Sequence, residues 1–315
     1  MDKHKAPQNR TIILTEEEKE HYLNNIAHLS QLKKRIPLNT IIQGDVFEAA
    51  KLIPKKSVDL LFLDPPYNLS KQFHGNNFIK TSEEKYIKWF QSWFDLLLPS
   101  LKETASVYIC CDWQTSVSVY EAIKEKLIIR NRITWEREKG RGAKTNFKNS
   151  HEDIWFATKS KKYKFNIDAV KLKRKVIAPY RENGQPKDWE ESGNGNFRLT
   201  HPGNLWTDIS IPFWSMPENT DHPTQKPEKL LAKLILASTD NGDTVLDPFA
   251  GSGTTAVVSK KLDRNFIAVE LSEKYVCLAN KRLDIAERDK DIQGYSGGVF
   301  WERNTLSLQK RTGTK

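Results

Sequence analysis

The chain has 315 residues, 38% hydrophobic and 29% charged, with 14 Phe, 9 Tyr and 9 Trp, which excludes a disordered chain and allows either one large α/β domain or a core with an insert. No apolar run approaches the ~18 residues of a membrane span, Met1 to Arg10 is polar and basic rather than a leader, and the three cysteines form neither a disulfide framework nor a CxxC pair. A cytoplasmic protein without membrane attachment or metal is expected, and its 50 Lys+Arg against 40 Asp+Glu leave a net charge of +10.

The first predicted element is an amphipathic helix. Thr15 and Glu18 form a capping box, Tyr22, Leu23, Ile26, Leu29 and Leu32 follow at helical spacing, and Pro37 ends it. Residues 1–36 therefore read as an N-terminal helical extension. NTIIQGD is a short strand, VFEAAKLI a helix, and SVDLLFLD an apolar strand of the buried parallel type that delivers DPPY at its carboxyl end. A helix through KYIKWFQSWFDLLLPSL, a strand SVYICCD, a helix from Val117 to Leu127 and a strand IIRNRITW complete a unit over 37–136.

From Arg137 the pattern degrades. Between 137 and 187 lie 15 basic and 5 acidic residues, an excess equal to that of the entire chain. Cations interleaved with Phe147, Trp155, Phe156, Tyr163 and Phe165 are suited to a polyphosphate backbone, the alternative being a solvated lysine-rich face. One strand-like run, DIWFATK, interrupts this segment, and ESGNGNFRLTHPGN reads as a returning loop, so 137–205 is taken as an insert. Regular structure resumes over 206–290. HPTQKPEKLLAKLILAST is a helix that Thr224 can cap, followed by strand DTVLD, loop PFAGSG, helix TTAVVSKKL, strand NFIAVE and helix SEKYVCLANKRLDIAERD. Residues 291–315 read as a frayed tail. Strands alternating with helices predict an α/β fold, a Rossmann-like, mostly parallel sheet with helices on both faces and ligands beyond the strands' carboxyl ends.

Two constellations carry chemistry. In VLDPFAGSGTT a strand ends in Asp247 before a glycine turn and a helix, and Glu270, 23 residues on, ends the next strand, where it can accept from both hydroxyls of a ribose. No GK[ST] follows and no third glycine completes GxGxxG. Asp247 would repel a pyrophosphate but attract the ammonium or sulfonium of S-adenosylmethionine, whose carboxylate can sit on the helix N-terminus near Ser252 to Thr254. In LFLDPPYNL the prolines hold the backbone outward, with Asp64 before them and Tyr67 after. The exocyclic amine of a nucleobase is a poor nucleophile because its lone pair is delocalised into the ring. The Asp64 carboxylate and the Pro65 carbonyl can each take one N–H and free that pair, while Tyr67 offers a stacking face.

DPPY at 64–67, HPTQKP at 222–227 and DPFAGSGTT at 247–255 together resemble the amino-methylating DNA methyltransferases of the β arrangement, in which the catalytic motif precedes the cofactor loop; the likeness spans roughly residues 38–288. The resemblance implies a catalytic pocket of Asp64, Pro65, Pro66 and Tyr67 and a cofactor loop lined by Asp247, Phe249, Gly251, Ser252 and Gly253. It also implies Glu270 on the ribose, Asp45 on the adenine side, and Thr224 and Lys226 near the methionine end. Asp45 and Thr224 are open to a second reading as helix caps. The basic segment occupies the slot that reads DNA in this family, with Arg137, Lys139, Arg141, Lys144 and Lys148 as phosphate contacts.

The implied activity is methyl transfer from S-adenosylmethionine to a flipped-out base. Asp64 at the head of PPY inclines the target to adenine N6, with cytosine N4 as the alternative. A homodimer and a cognate restriction endonuclease are candidate partners. RNA or protein amine methyltransferases also use a PPY pocket, but there the cofactor loop precedes it. A dinucleotide oxidoreductase would need the missing glycine, and a non-catalytic DNA-binding module would leave Asp64 to Tyr67 without a purpose.

Overall fold

The run VDLLFL is apolar at every position but Asp59, so a strand made from it needs cover on both faces. All six of its residues are buried, and it lies at the centre of the molecule. The computed structural model describes residues 7–73, 76–137, 145–176, 180–192, 195–305 and 309.

Helix α1 (Glu16–Asn24) opens with the capping box, the Thr15 hydroxyl accepting from the Glu18 amide and the Glu18 carboxylate from the Thr15 amide. Then come β1 (Ala27–His28), β2 (Thr40–Gln43), α2 (Val46–Leu52), β3 (Val58–Leu63), and a hairpin of β4 (Lys71–Phe73) and β5 (Asn76–Phe78). They are followed by α3 (Glu83–Leu97), β6 (Leu101–Cys111), α4 (Thr115–Ile123), β7 (Ile128–Glu136) and β8 (His151–Thr158). The middle segment carries β9 (Leu172–Lys175), β10 (Arg181–Glu182), β11 (Gln185–Pro186), β12 (Glu190–Ser192), β13 (Gly195–Thr200) and β14 (Leu205–Trp206). Last are α5 (Glu228–Ser238), β15 (Thr244–Asp247), α6 (Thr254–Lys261), β16 (Asn265–Glu270), α7 (Glu273–Arg288), β17 (Tyr295–Ser296) and β18 (Val299–Trp301).

Nine strands form the main sheet in the order β1-β2-β16-β15-β3-β6-β8-β7-β14. Only β8 runs against its neighbours; every other pairing of like-directed strands is parallel. Alternate residues of β3 feed two cores. Leu61 and Leu63 pack with Phe90, Trp93 and Val119 of α3 and α4, whereas Leu60 and Phe62 pack with Leu230, Leu231 and Leu234 of α5. The sheet is therefore covered on both faces, as the pattern of strands and helices predicts.

A second sheet, β12-β13-β9-β18-β17, lies beyond α5. Helix α5 touches both layers and is buried along its whole length, Lys229 and Lys233 included. Burial of two lysines requires compensation: both pair with Asp208, and Lys229 also donates to the Asp208 and Trp301 carbonyls.

Four expectations are revised. The first helix stops at Asn24 instead of continuing to Pro37, because Ala27 and His28 join the sheet edge beside Ile42 and Gln43. The helical spacing of Leu29 is used for packing against Gly44 instead. The supposed insert begins later than residue 137, since β8 is inserted between β6 and β7 in the main sheet. The glycine-rich return loop is a hairpin, β12–β13. Residues 295–301, read as frayed, form the hairpin β17–β18, of which β18 pairs with β9 and buries Phe300 and Trp301 against α5 and the second sheet. Among the described residues no helix is long and apolar enough to cross a membrane.

Candidate active site

Strands β3 and β15 are parallel neighbours, with Leu60 opposite Val245 and Leu61 opposite Leu246. Equal register and direction bring the residues that follow them, Asp64 and Asp247 with its glycine turn, out at the same sheet edge. This is the juxtaposition on which the sequence reading depends.

The DPPY loop is braced from three sides. Asn68, buried, accepts from the Thr81 amide at 2.8 Å and donates to the Thr81 carbonyl at 3.0 Å, and Tyr86 donates to the Pro66 carbonyl at 3.0 Å. Tyr67 donates to Asp64 Oδ1 at 2.9 Å. Burial and then the Asp64 charge push the Tyr67 phenol far above its ordinary value, so it remains a neutral donor. The ring expected as a stacking face is thereby fixed by its hydroxyl to the carboxylate.

Lys226 is drawn into the DPPY loop: its Nζ lies 2.5 Å from Asp64 Oδ2, 3.5 Å from the Tyr67 hydroxyl and 3.6 Å from Glu152 Oε2. Burial depresses the ammonium, but the Asp64 and Glu152 carboxylates overcome this and hold it above the usual lysine value. Glu152 Oε1 accepts from Arg137. Glu152 escaped the sequence reading; its only signal is a pair of acids, Glu152 and Asp153, at the head of an otherwise apolar strand.

The glycine turn is shaped by close approach. Gly251 (φ +53°) lies under the His222 ring, whose Nε2 would be 3.0 Å from an added Cβ, and Gly253 (φ +77°) faces Ala279, whose Cβ would be 2.6 Å away. Phe249 packs edge-on against Trp93, 4.9 Å between centroids. Asp247 is buried beneath the turn, accepting from the Phe249 amide at 3.0 Å and the Thr255 hydroxyl at 2.5 Å. Burial pushes its carboxyl up to about 7. Glu270 accepts from the Gly251 and Ser272 amides, both at 2.8 Å. Ser252 rests on Arg282, a fully buried guanidinium that also reaches Thr254 and Glu228. Beside it, burial and the neighbouring Glu228 push the Glu218 carboxyl up to about 8.

Asp45 caps α2 through the Phe47 amide at 2.8 Å and is otherwise exposed. Thr224 does not cap α5, whose N-cap position is held by Pro227 without a side-chain hydrogen bond. Of the expected phosphate contacts, Lys139, Arg141 and Lys144 lie outside the described residues. Arg137 is drawn onto Glu152, and Lys148 is partly buried at the foot of the loop that enters β8. Further along the basic segment, Lys164, Lys171 and Arg174 face Asp240 and Asp243, Asp168, and Glu302 respectively, so that part of the excess charge is taken up by internal pairs.

A family model described as DNA methylase matches residues 58–281. The chain is 37% identical over 288 residues to the DNA adenine methyltransferase YhdJ of Escherichia coli (strain K12), covering 87% of this chain and 91% of that protein. It is 32% identical over 247 residues to the type II methyltransferase M.HpaI of Haemophilus parainfluenzae, covering 78% and 74%. Among solved structures, the M1.HpyAVI–SAM complex aligns with a TM-score of 0.53 at 24% identity, covering 78% of this chain and 98% of that one. The cytosine-N4-specific PvuII DNA methyltransferase aligns with a TM-score of 0.55 at 18% identity, covering 81% and 93%; these two likenesses establish the fold.

Proposed function

The chain belongs to the DNA methylase family, and we propose that it methylates the exocyclic N6 of an adenine flipped out of DNA, using S-adenosylmethionine. The observation that carries this reading is the common sheet edge of Asp64 and the glycine turn. An Asp at the head of DPPY and the adenine specificity in the name of YhdJ both support adenine over cytosine.

The residues present fit the cofactor. Gly251 and Gly253 leave a turn into which side chains would intrude, Asp247 is a buried carboxyl held by the Phe249 amide and the Thr255 hydroxyl, and Glu270 ends the adjoining strand. Phe249, Ser252 and the start of α6 complete the turn, with Asp45 and Thr224 at its margins. When bound, S-adenosylmethionine supplies an electrophilic methyl group. The protein prepares the nucleophile: Asp64 and the Pro65 carbonyl accept the two amine hydrogens and draw the nitrogen lone pair out of the ring. Tyr67 and Lys226 orient the carboxylate, and the surplus proton leaves to water after attack. Extracting the base costs a few kcal/mol, offset by phosphate contacts for which Lys139, Arg141, Lys144 and Lys148 remain the candidates, Arg137 being held on Glu152.

The type II name of M.HpaI supports a role in restriction–modification with a cognate endonuclease, and a homodimer and a cytoplasmic location accompany that reading. The test is Asp64→Ala. Methyl transfer to DNA should vanish while the affinity for S-adenosylmethionine stays within a few fold; normal turnover would place the chemistry elsewhere.

A further inference from the structure

We propose that Lys226 is a movable clamp on the catalytic carboxylate and that Glu152 is a positioning residue, the second seat to which the ammonium moves when the target amine arrives. The proposal rests on the reading of Asp64 as the amine acceptor.

Both Asp64 oxygens already hold donors, Tyr67 on Oδ1 and Lys226 on Oδ2. Tyr67 is three residues away on the same rigid loop and travels with Asp64. Lys226 comes from a different segment, on a flexible stem, and is the donor that an incoming amine can displace. A displaced buried ammonium needs another acceptor nearby. Glu152 Oε2 meets that need: it is buried, it has no hydrogen-bond partner among the described residues, and it lies 3.6 Å from Nζ, about half an ångström beyond hydrogen-bond length. The remaining neighbours, the Tyr67 hydroxyl and the Cys110 thiol, carry no charge to hold it.

Glu152 is also fixed in place. Its Oε1 is occupied by Arg137, and its backbone in β8 pairs with Trp135 of β7. A small rotation of the lysine therefore exchanges one carboxylate for another without leaving the buried site or changing its charge. The orphan oxygen, unexplained by packing, acquires a purpose in the loaded state.

The test is suppression. With saturating DNA and S-adenosylmethionine, Glu152→Gln should slow single-turnover methyl transfer roughly tenfold or more, because the clamp has nowhere to go. Affinity for S-adenosylmethionine, measured by calorimetry, should be unchanged. Glu152→Asp, which keeps the charge, should be faster than Glu152→Gln. The double variant E152Q/K226M, with no clamp left to hold Asp64, should also be faster than Glu152→Gln alone. A purely structural role predicts the reverse, since the double variant removes more of the network. Wild-type transfer combined with a double variant no faster than Glu152→Gln would overturn the clamp alone; absence of transfer by the wild-type protein would overturn the functional reading together with it.

Discussion

Lys226 and Asp64 are 162 positions apart in sequence, yet their side chains meet at 2.5 Å. Four residues before Lys226, the His222 ring lies over Gly251. One short segment, HPTQKP, therefore touches both the loop that carries the acid and the turn expected to hold the cofactor. It is the strap that fixes their separation.

The turn itself should tolerate no side chain at Gly253. An added Cβ would meet Ala279 Cβ at 2.6 Å and its Cα at 3.2 Å, at φ +77°. Positive φ costs about 1–2 kcal/mol for an L-residue and overpacking about 1–3 kcal/mol more. Gly253→Ala should lower unfolding stability by on the order of 2–5 kcal/mol in denaturant titrations; a loss below about 0.5 kcal/mol would contradict the packing described.

Affinity for S-adenosylmethionine should rise with pH up to about 7 and then level off. Below that point the buried Asp247 carboxyl is protonated and must lose its proton before it can stabilise a cation. The dissociation constant should therefore increase by up to about tenfold for each pH unit below 7, and Asp247→Asn should bind weakly with a flat profile. Calorimetry from about pH 5.5 to 8 decides this; a flat wild-type profile would remove Asp247 from cofactor binding.

Stability of the free protein should fall as pH rises from about 5 to 8. Glu218 and Asp247 keep their protons in the folded chain to about 8 and about 7, whereas the unfolded chain releases them near 4.5 and 3.8. Within that window the folded state binds more protons, so each rise in pH favours unfolding, by on the order of 1 kcal/mol per unit. Above pH 8 the trend should reverse, because burial lowers Lys229 to about 8 and the folded chain then lacks a proton that the unfolded chain retains to 10.5. Glu218→Gln should flatten the acidic side of the profile, and a stability maximum at pH 8 would contradict the assignment.

The C-terminal strand should be integral to the fold. Phe300 is fully buried against α5 and β9, and Phe→Ala in a core costs about 3–5 kcal/mol. Phe300→Ala should show that loss in thermal or denaturant unfolding, whereas a frayed end would show none.

The sequence reading succeeded where structure is local. Asp64 follows and Asp247 ends an apolar strand, each before a turn that prolines or glycines mark, so these strand ends are legible before any contact is known. The capping box at Thr15 is equally local. What escaped is long-range. The Glu152–Lys226–Asp64 chain joins β8, HPTQKP and DPPY, and Arg282 supports Ser252 from 30 positions away. The spacing of Leu29 fits a helix, but the backbone just before it, Ala27 and His28, pairs instead with β2, since an open sheet edge offers partners that periodicity does not record. Val299 to Trp301 are only three residues beside Gly297 and Gly298, too few to signal a strand until β9 supplies the other half.

The central claim, that Asp64 at this edge directs a methyl group to adenine N6, is tested most directly by identifying the product. Unmethylated mixed-sequence DNA is incubated with the protein and isotopically labelled S-adenosylmethionine, digested to nucleosides and resolved by mass spectrometry. The label should appear in N6-methyldeoxyadenosine and should be absent when Asp64→Ala is used; label in N4-methyldeoxycytidine, or in no nucleoside at all, would contradict the account.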